Sequence, residues 1–333
     1  MRTILLSAAA LMPLVACGGD DGGGGGGQPT PEGTHYHMVV NAVNVPQTTN
    51  EAREDGLDLG SSTSDKPDGT VDNQLGNVLS ALKGQGFDVQ TTLDTAVASG
   101  SLALLVDFQT KDFTAASAAG LQVLFASTAA GDITPAPCNG SADTTCGHHL
   151  DGTGMFKVSA NSPQDAFVSG PIVGGTFNGG PGTITLQLAL GGTTPVNLNL
   201  LNARGQASGV SATGITSGIL AGALTQDDLN SQVIPAIQAQ LQPIITRDCT
   251  STDPNATPPC GCADGSTGKT IIGLFDTDPK DCMVSVMEIQ ENTLIKSLLA
   301  PDVCSTASCT KPDALSLGVK FTAVGATYTV AGE

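Results

Sequence analysis

The segment CADGSTGKTIIGLFD, residues 262–276, has the residue types of a phosphate-binding loop. Such a loop lies between a strand and a helix, because backbone N–H groups at the helix N-terminus hold the phosphates. Here a proline- and cysteine-rich segment precedes it, Ala263 replaces the first glycine, and 270–275 has the pattern of a short strand. The sequence therefore predicts no nucleotide site, and Asp264-Gly265 is expected to form a turn.

Three aspartates, Asp65, Asp68 and Asp72, could supply oxygen ligands to calcium. Their segment, SDKPDGTVDNQLG, resembles EF-hand and thrombospondin type 3 loops, but a lysine and a leucine stand where acidic ligands belong. In the other interpretation, Pro-Asp-Gly is a β-turn and Asp72 is the N-cap of the next helix. We expect the turn and the cap. Calcium is the one cofactor that the sequence leaves open.

The four histidines form two pairs, His35 with His37 and His148 with His149, each in or beside a predicted loop. Neither pair has a third metal ligand at a recognisable spacing. The chain also contains no Gly-x-Ser-x-Gly and no His-Glu-x-x-His. The sequence therefore favours a protein without enzymatic activity. An exported hydrolase that uses carboxylates or a bound metal is the alternative.

The first 16 residues have the pattern of an export signal, because an arginine precedes an apolar run, 4–16, that is too short to cross a bilayer. The sequence LVAC at 14–17 resembles the lipobox of bacterial lipoproteins. The resemblance implies cleavage before Cys17 and a diacylglycerol on its sulfur. Because Gly18 rather than aspartate follows, it also implies attachment to the outer membrane, facing either the periplasm or the cell surface.

Residues 17–34 contain the glycine-rich run GGDDGGGGGGQPTPEG, which has no apolar side chain to bury. Such a composition predicts a flexible tether, which would hold the folded body about 20 to 25 Å from the lipid. The remaining residues, 35–333, are expected to form one large β-rich domain, or such a domain with a separate disulfide-rich part over 249–333.

The chain is strongly acidic, with a net charge of −18 that becomes about −19 once the single arginine of the export signal is removed. This charge repels nucleic acid and anionic lipid headgroups. We therefore expect no nucleic-acid partner, and contact with the membrane only through the lipid anchor. The composition does not identify a protein partner in the envelope.

Assigning Cys17 to lipid leaves eight cysteines, an even number that predicts disulfides in an exported protein. Cys138 with Cys146 and Cys304 with Cys309 would close short loops.

The central four cysteines are Cys249, Cys260, Cys262 and Cys282. Cys260 and Cys262 are too close in sequence to pair with each other, so each should reach Cys249 or Cys282, in either order. A zinc site is the alternative, which the single residue between Cys260 and Cys262 disfavours.

Alternation of apolar and polar residues predicts strands through much of the body. Residues 183–190 and 196–200 alternate on either side of a turn, which is typical of an antiparallel hairpin with one wet face. Near the C-terminus the alternation changes phase at Ala323-Val324, which indicates a bulge. Further strands are predicted at 36–45, 101–108, 121–127, 154–159 and 270–275.

Three segments have helical spacing: one over 75–82, one over 226–246 and one over 288–299. Thr225 is expected to cap the second helix, and Pro235 to kink it. Together the patterns predict a mainly β fold (β-rich α+β), in which an antiparallel sheet or sandwich packs against two to three helices and is stabilised by disulfides.

Past the tether, the segments DNQLGNVLSAL, CGCADGSTG, LFDTDPKDC and DALSLGVKFTAV are similar to those of uncharacterised lipoproteins of the myxobacterial type. This resemblance implies no fold and no activity. The sequence as a whole predicts a lipid-anchored lipoprotein of the outer membrane that binds or scaffolds a partner.

Overall fold

The computed structural model describes residues 28–60, 63–83, 88–140, 142–190, 195–252, 260–277 and 279–329. The predicted export signal, Cys17 and most of the predicted tether lie outside these ranges. Among the described residues, no helix has both the length and the apolar character that crossing a membrane requires.

One large sheet dominates the fold, and a small hairpin stands apart from it. The strands of the large sheet are β1 (Thr34–Asn44), β2 (Leu104–Thr110), β3 (Ala115–Phe125), β4 (Ile133–Thr134), β5 (Gly154–Phe156), β6 (Phe167–Val173), β7 (Thr176–Leu188), β8 (Val196–Ser211), β9 (Gly214–Thr225) and β12 (Ala314–Thr327). The hairpin consists of β10 (Cys249–Thr252) and β11 (Cys260–Cys262).

Eight of the strands close on themselves. Their order is β1-β2-β3-β6-β7-β8-β9-β12, all neighbours are antiparallel, and β12 also pairs with β1. The last residues of β12 then pair in parallel with β5, to which β4 is antiparallel. The predicted β-rich class with an antiparallel sheet is confirmed, and we call the eight strands the closed sheet.

The alternation in the sequence decides which side chains fill the closed sheet. In the predicted hairpin, Ile184 lies opposite Leu200 and Leu186 opposite Leu198, and all four are buried. The predicted bulge in β12 is present as a register shift close to Ala323.

The first described residues belong to the predicted tether but contact the sheet. Gln28 Oε1 accepts a hydrogen bond from the Ser169 N–H (2.6 Å), and the Ser169 hydroxyl donates to the Pro29 carbonyl (2.5 Å). The Glu32 N–H donates to the Ala118 carbonyl (3.1 Å). Residues 28–32 therefore extend the folded body beyond the predicted boundary at 35.

The helices are α1 (Thr49–Glu54), α2 (Gln74–Lys83), α3 (Val89–Ser99), α4 (Gln226–Asp228), α5 (Ile234–Asp248), α6 (Thr267–Phe275), α7 (Val286–Glu291) and α8 (Thr293–Leu298). A π-helical turn, Leu229–Val233, joins α4 to α5, so the predicted helix over 226–246 is confirmed. Thr225 Oγ1 accepts from the Asp228 N–H (3.0 Å), as the capping motif predicts. Pro235 follows the π-helical turn, where its missing N–H interrupts the regular hydrogen bonding.

The prediction that Asp72 caps α2 is wrong. Asn73 has that role, because its Oδ1 accepts from the N–H of Gly76 (3.1 Å). The Asp72 carboxylate instead accepts from the N–H of Leu59 (2.8 Å), and Leu57 pairs with Asp72 in an isolated β-bridge. The Asp72 carboxylate therefore bonds to the loop before α2, and not to the helix N-terminus as local sequence predicts.

The strand predicted at 270–275 is also wrong, since these residues lie in α6. Ser266 caps this helix, its hydroxyl accepting from the Lys269 N–H (3.2 Å). Short apolar runs fit a strand or a buried helix equally well, so tertiary packing decides between them. The helix predicted over 288–299 is divided at Asn292, which caps α8.

Candidate functional site

A cavity of about 490 Å³ lies between α2, α5, α6 and α8, on the helical side of the molecule. Six of the side chains that line it are Leu82, Ile237, Leu241, Ile271, Phe275 and Leu298. This volume is typical of a small-molecule binding site.

Polar side chains fix three of the four walls to the rest of the fold. The Asn73 amide exchanges two hydrogen bonds with the backbone of Gly318 in β12 (3.1 and 2.9 Å), which places α2 on the closed sheet. Gln74 Nε2 reaches the Leu298 carbonyl of α8 (3.3 Å). On α5, Gln240 Nε2 donates to the Leu190 carbonyl that follows β7 (2.8 Å).

The fourth wall, α6, is held by covalent cross-links. Disulfides join Cys249 to Cys262, before α6, and Cys260 to Cys282, which lies beyond it. The sequence left two pairings of these four cysteines open, and the structure contains Cys249–Cys262 with Cys260–Cys282. The zinc alternative, which the spacing disfavoured, does not fit the structure, because all four sulfurs are used in disulfides.

The two local disulfides, Cys138–Cys146 and Cys304–Cys309, are confirmed. Neither pair belongs to the lining of the helical cavity.

The lining of the cavity is almost wholly apolar. Its polar side chains, among the described residues, are Thr267 and Thr270, and none of its side chains is ionisable. Leu274 and Leu294 line the cavity and are still 42% and 51% exposed, so the cavity opens to solvent. Such a site can bind a hydrocarbon by burying it, but its described lining offers no group that could act as acid, base or metal ligand.

The three candidate calcium ligands do not come together as a metal site in the part of the chain that the structure describes. Asp65, Asp68 and Asp72 form no group of ligand atoms within 4.8 Å of one another. Two of these carboxylates accept hydrogen bonds from backbone N–H groups: Asp68 from Thr70 (2.9 Å) and Asp72 from Leu59 (2.8 Å).

Asp58, which sequence reasoning missed, organises this loop. Its carboxylate accepts from the N–H groups of Gly60 (3.0 Å), Asp68 (3.1 Å) and Gly69 (2.5 Å). Gly69 has a positive φ of 90°, as the predicted turn requires.

Arg204 on β8 supplies a positive charge beneath the same loop. Its Nη2 donates to the Asp65 carbonyl oxygen (2.7 Å). Burial lowers the pKa of its guanidinium, and attraction to Asp58, Asp65 and Asp72 opposes that shift. Burial also raises the pKa of Asp72 to about 6, which the Leu59 hydrogen bond partly offsets. No local pattern could have paired Arg204 with a loop more than a hundred residues earlier.

Of the predicted histidine pairs, His35 lies in a second cavity, of about 220 Å³. Its Nδ1 is 2.8 Å from Oδ2 of Asp107, a carboxylate that is 5% exposed. A carboxylate that orients a histidine is part of many hydrolytic sites. The described side chains that line this cavity, however, include no serine, threonine, cysteine or lysine to act as nucleophile.

The second pair does not converge on one site. His148 Nε2 is 3.0 Å from Asp143 Oδ2 and faces solvent. His149 is 1% exposed, and neither ring nitrogen has a hydrogen-bond partner among the described residues. Its ring lies edge-on to Phe156 at 6.0 Å, and burial lowers its pKa. His149 is therefore a neutral residue of the core.

Near α6, Asp276 and the sulfurs of Cys260 and Cys282 lie within 4.8 Å of one another. The two sulfurs are bonded to each other, so they are not thiolate ligands. The carboxylate is buried, which raises its pKa, and it accepts the N–H groups of Asp281 (3.2 Å) and Cys282 (3.0 Å). Asp276 thus shapes the turn that leads from α6 to the disulfide.

No protein-family model matches this chain, and no curated protein or solved structure matches it either. Its function is therefore inferred from its own residues. Between the two cavities described above, only the helical cavity has both a small-molecule volume and a uniform chemical character.

Proposed function

We propose that this chain is a lipid-anchored lipoprotein of the outer membrane that binds an acyl chain in its helical cavity, without catalysing a reaction. The sequence LVAC at 14–17 supports the anchor on Cys17. Four disulfides are typical of proteins outside the cytoplasm.

The apolar lining of the 490 Å³ cavity carries the proposal. An acyl chain has no hydrogen-bonding groups along its length, so it gives up no hydrogen bonds with water on entering such a space and gains the free energy of burial. A peptide would bring backbone N–H and C=O groups, and the hydroxyls of Thr267 and Thr270 could satisfy at most a few of them. The lining therefore favours a hydrocarbon over a peptide.

The test is the binding of a fluorescent fatty acid whose emission rises in apolar surroundings. The mature chain, exported without lipid, should bind one molecule in a saturable manner. Thr270→Glu should abolish binding, because Thr270 lines the cavity and a charge there would be desolvated by the ligand. Thr246→Glu is the matched control, since Thr246 is an exposed residue of α5 outside the lining.

Unsaturable binding by the parent protein, or equal binding by Thr270→Glu and Thr246→Glu, would contradict an acyl-chain site in this cavity.

The exported hydrolase remains a second candidate because of the His35–Asp107 pair. Its test is hydrolysis of a chromogenic ester by the parent protein and by His35→Ala. We expect no difference between them, since the described lining of that cavity has no nucleophile. Turnover that disappears in His35→Ala would favour the hydrolase.

A further inference from the structure

α6 forms the largest part of the cavity wall. Five of the lining residues belong to it: Thr267, Thr270, Ile271, Leu274 and Phe275. These positions follow the spacing of one helix face. A helix of this length is marginal alone, so its position depends on its packing against α5 and on what holds its two ends.

The N-terminal end of α6 has several attachments. The Cys249–Cys262 disulfide joins the preceding segment to the end of α5. Asp248 Oδ2 accepts from the Gly268 N–H (2.8 Å), and the Asp248 carbonyl accepts from the Ala263 N–H (3.0 Å). Loss of one of these contacts would leave the others in place.

The C-terminal end has one covalent cross-link beside two hydrogen bonds, from Asn292 Nδ2 to the Leu274 carbonyl (2.8 Å) and from the Thr277 N–H to Glu288 Oε1 (2.8 Å). After Phe275 the chain passes through the turn around Asp276 to Cys282, whose disulfide with Cys260 closes a loop around the whole helix. Asp276 Oδ2 lies 3.9 Å from the Cys260 sulfur and accepts the Cys282 N–H. The hydrogen bonds of this turn thus depend on the position that the disulfide gives to Cys282.

We infer that the Cys260–Cys282 disulfide is a redox switch for the helical cavity: its reduction removes the one covalent link at the C-terminal end of α6, loosens that end and weakens acyl-chain binding. The inference rests on the proposed function and names the regulation of that site. The two disulfides outside this region, Cys138–Cys146 and Cys304–Cys309, close short loops that do not contribute to the cavity lining.

The reductant would be a dithiol, and exposure decides which sulfur it attacks. Cys260 is 7% exposed, whereas Cys282 is more accessible. The thiolate of the dithiol attacks Sγ of Cys282, forming a mixed disulfide and releasing Cys260 as a thiolate that takes up a proton. The second thiol of the reductant then closes a ring disulfide and releases Cys282. Two electrons and two protons pass from the dithiol to the protein.

Binding and reduction must then affect each other. If opening the disulfide weakens acyl-chain binding, a bound acyl chain must make the disulfide harder to reduce by the same factor at equilibrium. Because α6 packs against the ligand through one face, a bound chain would also hold the helix in place. This reciprocity provides a second measurement that requires no substitution.

The first experiment compares fatty-acid affinity in two double variants of the mature chain. Cys260→Ser with Cys282→Ser should weaken binding about tenfold, a typical coupling between sites. Cys304→Ser with Cys309→Ser removes a disulfide outside the cavity and should leave affinity unchanged. Equal affinities in the two double variants would overturn the switch. No saturable binding by the oxidised parent would overturn the proposed function instead.

The second experiment covers the case in which the Cys260 and Cys282 variant does not fold. The parent protein is titrated in dithiothreitol redox buffers with and without saturating fatty acid, and the free thiols are alkylated and identified by mass spectrometry. Fatty acid should shift the midpoint of Cys260–Cys282 reduction towards more reducing conditions and leave Cys304–Cys309 unchanged. Identical midpoints for Cys260–Cys282 would overturn the switch.

Discussion

The interior of the closed sheet and the space between the helices are both lined by apolar side chains, yet they are filled to very different degrees. The cavity inside the sheet that Val106 and Phe321 help to line is about 10 Å³, and the helical cavity measures about 490 Å³. Strands that pair on both sides fix each other's registers, so their side chains can interdigitate closely. The helices are short and are held by loops, side-chain amides and two disulfides, which tolerate a gap between them.

This difference separates a closely packed region from the region that we propose binds an acyl chain. The side chains around an open apolar cavity lack the van der Waals contacts that close packing would give them. Such a cavity therefore lowers the stability of the fold unless a ligand fills it. The closed sheet supplies stability, and the helical side can then retain a cavity for a ligand. The following predictions test this division, from the largest expected effect to the smallest.

Phe177 and Phe275 allow a direct test, since one fills the sheet and the other lines the cavity. Phe177 is fully buried, 5.3 Å from the ring of Phe108, so Phe177→Ala should lower the free energy of unfolding by about 3 to 5 kcal/mol. Phe275→Ala should lower it by about 2 kcal/mol, because that ring already faces open space. Denaturant unfolding measures both. Equal losses would show that the two regions are packed alike.

The junction of the two regions depends on Asn73. Its buried amide caps α2 and bonds both backbone groups of Gly318, so Asn73→Ala would leave buried polar groups unpaired and should cost about 2 to 3 kcal/mol. Asp72→Ala, the matched change at the neighbouring residue, should cost about 1 kcal/mol or less, since it removes one acceptor. Thermal unfolding compares them. A larger loss of stability in the Asp72 variant would indicate that Asp72, and not Asn73, caps α2.

Asp72 itself should make stability depend on pH. Burial raises its pKa to about 6 from an ordinary value of 3.8, so the folded protein binds this proton more tightly than the unfolded chain does. The contribution of Asp72 therefore stabilises the fold as pH falls from about 7 to 4, and is lost as pH rises through 6.

Asp72→Asn removes this charge and keeps an oxygen that can accept from Leu59. We expect it to gain up to about 1 kcal/mol at pH 7, since Asp72 is only partly buried and solvent screens part of the effect, and to match the parent near pH 4. Unfolding curves at both pH values provide the comparison. A loss of stability at pH 7 would mean that attraction to Arg204 outweighs the cost of burying the charge.

Calcium should have the smallest effect. Because Arg204 already supplies positive charge beneath the loop of Asp58, Asp65 and Asp72, we expect calcium and a chelator to give the same melting temperature. A true calcium site at about a hundred times its dissociation constant would add roughly 2.7 kcal/mol. A chelator-sensitive melting temperature that disappears in Asp68→Ala would establish that site and extend the ligand-binding region to this loop.

Local sequence was sufficient to predict the features that depend on residues close to one another in the chain. Alternation over 183–190 predicts which side chains enter the closed sheet, and Thr225 marks the start of a helix that runs to 248. The Asp264-Gly265 turn is present, with Gly265 at a φ of 72°. Short spacing also predicts the Cys138–Cys146 and Cys304–Cys309 disulfides. Each of these features depends on hydrogen bonds or loop closures between near neighbours in the chain.

Only the tertiary structure decided the features that join distant segments. It made 270–275 a helix rather than a strand, because the apolar residues of α6 pack against α5 and belong to the main apolar core. It closed the sheet by pairing β1 with β12, and it chose Cys249–Cys262 and Cys260–Cys282. The cavity is lined by side chains as far apart in sequence as Leu82 and Leu298. Arg204 donates a hydrogen bond to the Asp65 carbonyl, which lies 139 residues earlier in the chain. Periodicity specifies the apolar face of each element, but only the packing of all the elements determines which faces meet closely and which leave a space.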